Sequence, residues 1–189
     1  FAFLVRVDTL SFIATVVVVT ASGALAPGPL LFTNITHGTK SGARGGLAFS
    51  VGHTIIEFSL VTFLALTLQV VINEPLIKLV VGVAGGTALL VFGVLQIRGA
   101  LTSKSAVAIE KQPTMKNPLL LGTVFTGLNP YFIVWWLTIG MTLIVNALSI
   151  ASFVGVLIMY VSHVWMDYAW LIGTAFLAKK GTNLIGNEE

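Results

Sequence analysis

Residues 24–58 read ALAPGPLLFTNITHGTKSGARGGLAFSVGHTIIEF. A long apolar run is interrupted by Pro27-Gly28-Pro29, a short basic turn follows, and a second apolar run carries His53 and Glu57 in its interior. A proline inside a helix removes a backbone donor and clashes with the turn before it. A carboxylate within a hydrophobic run is unfavourable unless it faces a partner or water. Both anomalies are tolerated where they line a cavity inside the protein, because the freed backbone groups find partners there. The stretch therefore reads as two membrane helices with a polar path at their breaks.

The rest of the chain agrees. It has 189 residues, 56% hydrophobic and only 9% charged, where a soluble domain carries about 25% charge. A soluble fold of this size could not bury so much apolar surface, so the class is an all-α, polytopic membrane protein. There is no cysteine, which excludes a disulfide framework, thiolate chemistry and Cys-based metal sites. The chain starts at Phe1, so a few residues are expected upstream. Arg6, the run 12–20 and Ala24-Leu25-Ala26 imitate a cleavable signal peptide. The proline directly after that site and the four later spans argue for retention.

Five runs are long enough to cross about 30 Å of hydrocarbon: 9–34, 45–72, 76–97, 117–146 and 149–178. They are expected to form one transmembrane domain over 1–189, with a first half (1–97), a basic connection (98–116) and a second half (117–189). Tight connections are expected at Asn73-Glu74-Pro75 and from Asn146 to Ser149. Eight of the ten basic residues fall on one face if the spans alternate: Lys40, Arg44, Arg98, Lys104, Lys111, Lys116, Lys179 and Lys180. Arg6 and Lys78 fall on the other. By the positive-inside rule the N-terminus lies outside the cell or inner membrane and the basic loops are cytoplasmic. These charges read as topology signals and lipid contacts, not as a nucleic-acid surface. Gly82-x-x-x-Gly86 in the third span reads as a close-packing motif.

The two halves resemble each other. The first span breaks at Pro27-Gly28-Pro29 and the fourth at Asn129-Pro130. The second carries His53-x-x-x-Glu57 and the fifth His163-x-x-x-Asp167. Three spans along, the chain direction through the membrane is reversed, so the halves form an inverted repeat. Matching interruptions in two such halves point to a transporter site. Symmetry calls for a sixth span, expected after Glu189. At 1.5 Å per residue, Glu57, Asn129 and Asp167 each lie about 16–18 Å deep, near the midplane.

Each His-acid pair shares a helix face. One reading is a pair of polar clamps between helices. The functional reading is a path that takes a cationic or zwitterionic group and exchanges protons, since histidine titrates near neutrality. A third makes His53, Glu57, His163 and Asp167 ligands of a divalent cation. At the prolines, half-helix ends offer free backbone groups to a solute, and Asn129 could add its amide. Trp135 and Trp136 lie several turns inside their span, so one of them could wall the cavity. Trp165 and Trp170 read as packing residues, Thr33 and Asn34 as helix-end residues, and Glu110, Glu188 and Glu189 as solvated charges. No serine or threonine shows an obvious His-acid partner on its own helix face, which disfavours an intramembrane enzyme. Nothing calls for a cofactor, and self-association is compatible with the sequence.

At these residues the chain resembles the LysE/RhtB family of amino-acid exporters, most closely its archaeal and Gram-positive type. The carrying motifs are Ala26-Pro27-Gly28-Pro29, Lys40-x-Gly42-x-x-x-Gly46, Gly52-His53-x-x-x-Glu57, Gly127-Leu128-Asn129-Pro130 with Tyr131 and Trp135-Trp136, and Ser162-His163-x-x-x-Asp167-x-x-Trp170. The resemblance runs over most of the chain, from about 10 to 178. The resemblance implies a six-helix inner-membrane exporter of amino acids or related solutes driven by protons, with Pro27, Gly28, Pro29, Glu57, Asn129, Pro130 and Asp167 at functional positions. Leu30 stands where many members carry a polar residue, so substrate identity does not carry over. The wider superfamily also includes metal exporters.

Overall fold

The computed structural model describes residues 2–71 and 117–185, and scattered positions between 76 and 98. The described residues are helical apart from short breaks, and none is in a strand. The glycine motif of the third span and the connection beyond Arg98 lie outside the described residues. The described positions between 76 and 98, among them Leu76, Leu79, Val83, Leu90 and Val94, are helical and exposed.

The first span breaks as expected. Helix α1 (Ala2–Ala24) and helix α2 (Pro29–Ser41) meet at 74° across the PGP segment. The expected basic turn at 35–45 is largely helix: α2 continues to Ser41, and only Gly42, at φ 60°, reverses the chain into α3 (Ala43–Val71). Nothing between 35 and 41 stops a helix. The buried small residue Gly38 lets α2 lie directly on Ala175. Asn34 is correspondingly not at a helix end. It is fully buried in mid-helix and donates to Leu171 O at 2.8 Å and Thr174 Oγ1 at 3.1 Å.

The fourth span is broken too, into α4 (Pro118–Gly127), α5 (Pro130–Trp135) and a π-helical turn (Trp136–Gly140). Met141–Ile185 follows as continuous helix by hydrogen bonding, but Ala151 (φ −149°, ψ 34°) and Ser152 (φ 50°, ψ −142°) are non-helical. A straight helix would put residues 136 and 163 about 40 Å apart, yet the Trp136 and His163 rings lie 5.1 Å apart. The segment is therefore a hairpin of α6 (141–150) and α7 (153–185). The turn expected at Asn146–Ser149 falls three to five residues later. Ser149 returns its hydroxyl to Val145 O at 2.9 Å, so its polarity does not end the helix.

Packing is reciprocal between the halves. α1 and α2 pack on α7, while α4 packs on α3. At the α3–α4 crossing, a Cβ on Gly52 would strike Leu119 O, and one on Gly122 would strike Phe49 O. The backbones thus touch, as small residues permit in membranes. A core including Phe12, Val16, Val61, Leu64, Trp136, Ile144 and Met159 fills the side of the bundle where α1 begins. Two described helices, or three spans when the bent α1–α2 pair counts as one, are long and apolar enough to cross a bilayer, before the 130–184 segment is divided at its hairpin.

Candidate solute site

α3 and α7 each present a histidine and an acid one turn apart, and the bundle aims both pairs at one point. Glu57 is 1% exposed, His163 3%, His53 6% and Asp167 6%. Glu57 Oε1 lies 3.2 Å from His53 Nε2 and 3.1 Å from His163 Nε2. Asp167 Oδ1 lies 3.8 Å from His53 Nε2, and its Oδ2 lies 3.4 Å from His163 Nε2. The π turn widens the helix beneath Trp136, and the Trp136 Nε1–H donates to Glu57 Oε1 at 3.2 Å.

The outer ring nitrogens are held across the halves. His53 Nδ1 meets Thr126 Oγ1 of α4 at 2.9 Å, and His163 Nδ1 meets Thr20 Oγ1 of α1 at 2.8 Å. Both threonines are fully buried. Hydrogen accounting makes the two unequal. The Thr20 hydroxyl donates to Val16 O at 2.7 Å, so toward His163 it accepts, and Nδ1 carries the ring hydrogen. With Nδ1 protonated, the 3.1 Å contact of His163 Nε2 with Glu57 Oε1 is a hydrogen bond only when a second proton lies between the two atoms. Thr126 makes no such backbone bond and can donate to His53 Nδ1, leaving His53 Nε2–H for Glu57. Thr20→Val, nearly isosteric, is expected to release the His163 tautomer. Its ¹⁵N ring shifts should move, while those of His53 stay unchanged.

These groups line a cavity of about 260 Å³. All eleven residues singled out from the sequence border it: Pro27, Gly28, Pro29, His53, Glu57, Asn129, Pro130, Trp135, Trp136, His163 and Asp167. Glu57 Oε2 and Asp167 Oδ2 are buried without a hydrogen-bond partner. Asn129 has a local job: its Oδ1 caps α5 by accepting from Tyr131 N at 3.0 Å, while its Nδ2 faces Gly28. Both tryptophans are buried walls, and the Trp135 Nε1–H donates to Ser22 Oγ at 3.1 Å. The Tyr131 hydroxyl also bonds Ser22, through its carbonyl, tying the two breaks together.

Trp170, read from sequence as packing, borders the cavity with an unpartnered Nε1, whereas Trp165 is half-exposed and donates to Ser162 O at 2.9 Å. Thr20 and Thr126 escaped the sequence reading, because threonine in a membrane helix usually bonds its own backbone and carries no signal. For a divalent cation, His53, Glu57 and Asp167 offer ligand atoms within 4.8 Å of one another. His163 meets the same acids from the other helix.

Comparison with curated proteins and with solved structures gives no match. The family model described as LysE type translocator matches residues 21–187, which takes in both breaks and both His-acid pairs. A membrane-embedded helical bundle with this match over most of its length belongs to the LysE type translocator family, and is a translocator of small solutes.

Proposed function

We propose that the protein exports amino acids from the cytoplasm in exchange for protons, with the His53–Glu57–His163–Asp167 cluster as the exchange centre. One observation carries this reading: two buried carboxylates from opposite halves meet at His163, each has an oxygen without a hydrogen-bond partner, and both residues border one cavity. An acid at mid-membrane costs about 2.5–3.5 kcal/mol on insertion scales, and a packing role would leave no oxygen unpartnered. A solute ammonium arriving at Glu57 Oε2 and Asp167 Oδ2 supplies the positive charge that the resident proton supplies in its absence. Solute and proton therefore compete for one site, which is the requirement for antiport.

The basic connections support an orientation with the N-terminus outside, in the cell or inner membrane. The packed core then lies on the outer side of the cluster and the cavity on the cytoplasmic side. That arrangement suits a state loaded from within. The PGP and Asn-Pro breaks are the hinges about which the halves exchange access.

A divalent cation as cargo is the second reading, favoured by the 4.8 Å ligand set. Counterflow into proteoliposomes separates the two. Vesicles preloaded with unlabelled amino acids should accumulate label from a mixture of amino acids. Vesicles preloaded with Mn²⁺ should not accumulate ⁵⁴Mn. The reverse pattern would replace the amino-acid reading with the metal one.

A further inference from the structure

Three described helices begin at a proline, and their starts are not equivalent. α4 and α5 each begin with Asn-Pro, and the asparagine caps its own helix: Asn117 Oδ1 accepts from Leu119 N at 3.0 Å and Asn129 Oδ1 from Tyr131 N at 3.0 Å. α2 begins with Gly28-Pro29 and has no side-chain cap. Pro29 has no N–H, and Phe32 N already bonds Gly28 O at 3.1 Å. The amides of Leu30 and Leu31 are therefore the open donors of a 13-residue helix, and both residues line the cavity. Such a start attracts anions.

Backbone geometry does not demand glycine at position 28. Its φ of −156° and ψ of 177° are extended, a conformation open to any residue. A Cβ there would have Asn129 Nδ2 as its nearest neighbour, at 3.9 Å, so a side chain fits. A serine, asparagine or aspartate at that position would cap α2 as the asparagines cap α4 and α5. What glycine leaves in place of a cap is open donors. The same cavity carries the opposite charge as well, because Glu57 Oε2 and Asp167 Oδ2 are unpartnered on side chains more than nine-tenths buried.

We propose that the bare start of α2 is the carboxylate subsite of the transported solute, and that Gly28 is the specificity-determining residue that keeps it open. The Leu30 and Leu31 amides take the solute's carboxylate, with Asn129 Nδ2 beside them, while Glu57 Oε2 and Asp167 Oδ2 take its ammonium. This rests on the amino-acid reading above and gives it a direction: each charged group of the solute has its own end of the cavity. A decarboxylated amine fills only the acidic end and should compete poorly.

The test uses the full-length protein in proteoliposomes, with exchange of a labelled mixture of the proteinogenic amino acids by wild type, Gly28→Ala and Gly28→Asp. Gly28→Asp supplies its own carboxylate to the amides, so exchange should fall at least about tenfold, the loss of two hydrogen bonds to a charged group. Competition by the decarboxylated amine of the transported amino acid should strengthen relative to the amino acid itself, a gain that misfolding cannot produce. Gly28→Ala adds no acceptor and should lose less. Exchange by Gly28→Asp at the wild-type level overturns the subsite alone. So does an equal loss in both variants without a gain for the amine. Absence of amino-acid exchange in the wild type overturns the amino-acid reading together with the subsite.

Discussion

Glu57→Gln is expected to lower gradient-driven transport by about two to three orders of magnitude, from loss of charge-assisted hydrogen bonds worth about 1.5–3 kcal/mol each. Three donors converge on Glu57 Oε1: Trp136 Nε1, His53 Nε2 and His163 Nε2. An amide of the same shape can accept from them but cannot hold the shared proton, and its NH₂ group turned toward the cavity would face the ammonium it should attract. Shape is preserved, so the variant should insert and elute from gel filtration like the wild type. Asp167→Asn removes the second acid with less disturbance, because Asp167 lies farther from both rings, at 3.8 and 3.4 Å. Wild-type rates in purified, folded Glu57→Gln would remove the cluster from the mechanism.

Gly122→Ala should have a large effect on stability. A Cβ at this position would strike Phe49 O and lie 3.0 Å from the Phe49 carbonyl carbon and Cα. Those are backbone atoms of α3 and cannot swing aside as a side chain would. Overpacking of this kind costs about 1–3 kcal/mol or more. The separation of α3 from α4 also stretches the 2.9 Å bond between His53 and Thr126, one turn from the contact on each helix. Thermal unfolding in detergent should therefore show a lowered midpoint, and transport should fall even where protein survives. An unchanged midpoint would mean that the crossing is looser than the structure shows.

What the sequence made legible were chemical anomalies. Prolines 27, 29 and 130 and the acids at 57 and 167 stand out because hydrocarbon does not tolerate them without a reason. Their spacing alone placed two breaks and two His-acid faces. Features made from ordinary membrane residues stayed hidden. The α6–α7 turn sits at Ala151-Ser152, while Asn146 and Ser149 look more loop-like and are helical. Gly38 and Thr36 through Ser41 read as a turn until the buried face of α2 against α7 is seen. Thr20 and Thr126 orient the histidines only because the fold brings α1 to α7 and α4 to α3. The π turn that directs Trp136 at Glu57 leaves no trace in residue type. Periodicity reports what a helix faces on average, whereas these details depend on which helix is the neighbour.

The most direct test of the exchange centre is proton movement tied to solute movement. Proteoliposomes loaded with the pH-sensitive dye pyranine, at equal pH inside and out, should become alkaline inside when the transported amino acid is added outside, as protons leave against its entry. Glu57→Gln vesicles should show neither the pH change nor net uptake. Amino-acid uptake by wild type with no change in internal pH, or the same change in Glu57→Gln, would contradict proton exchange at this cluster.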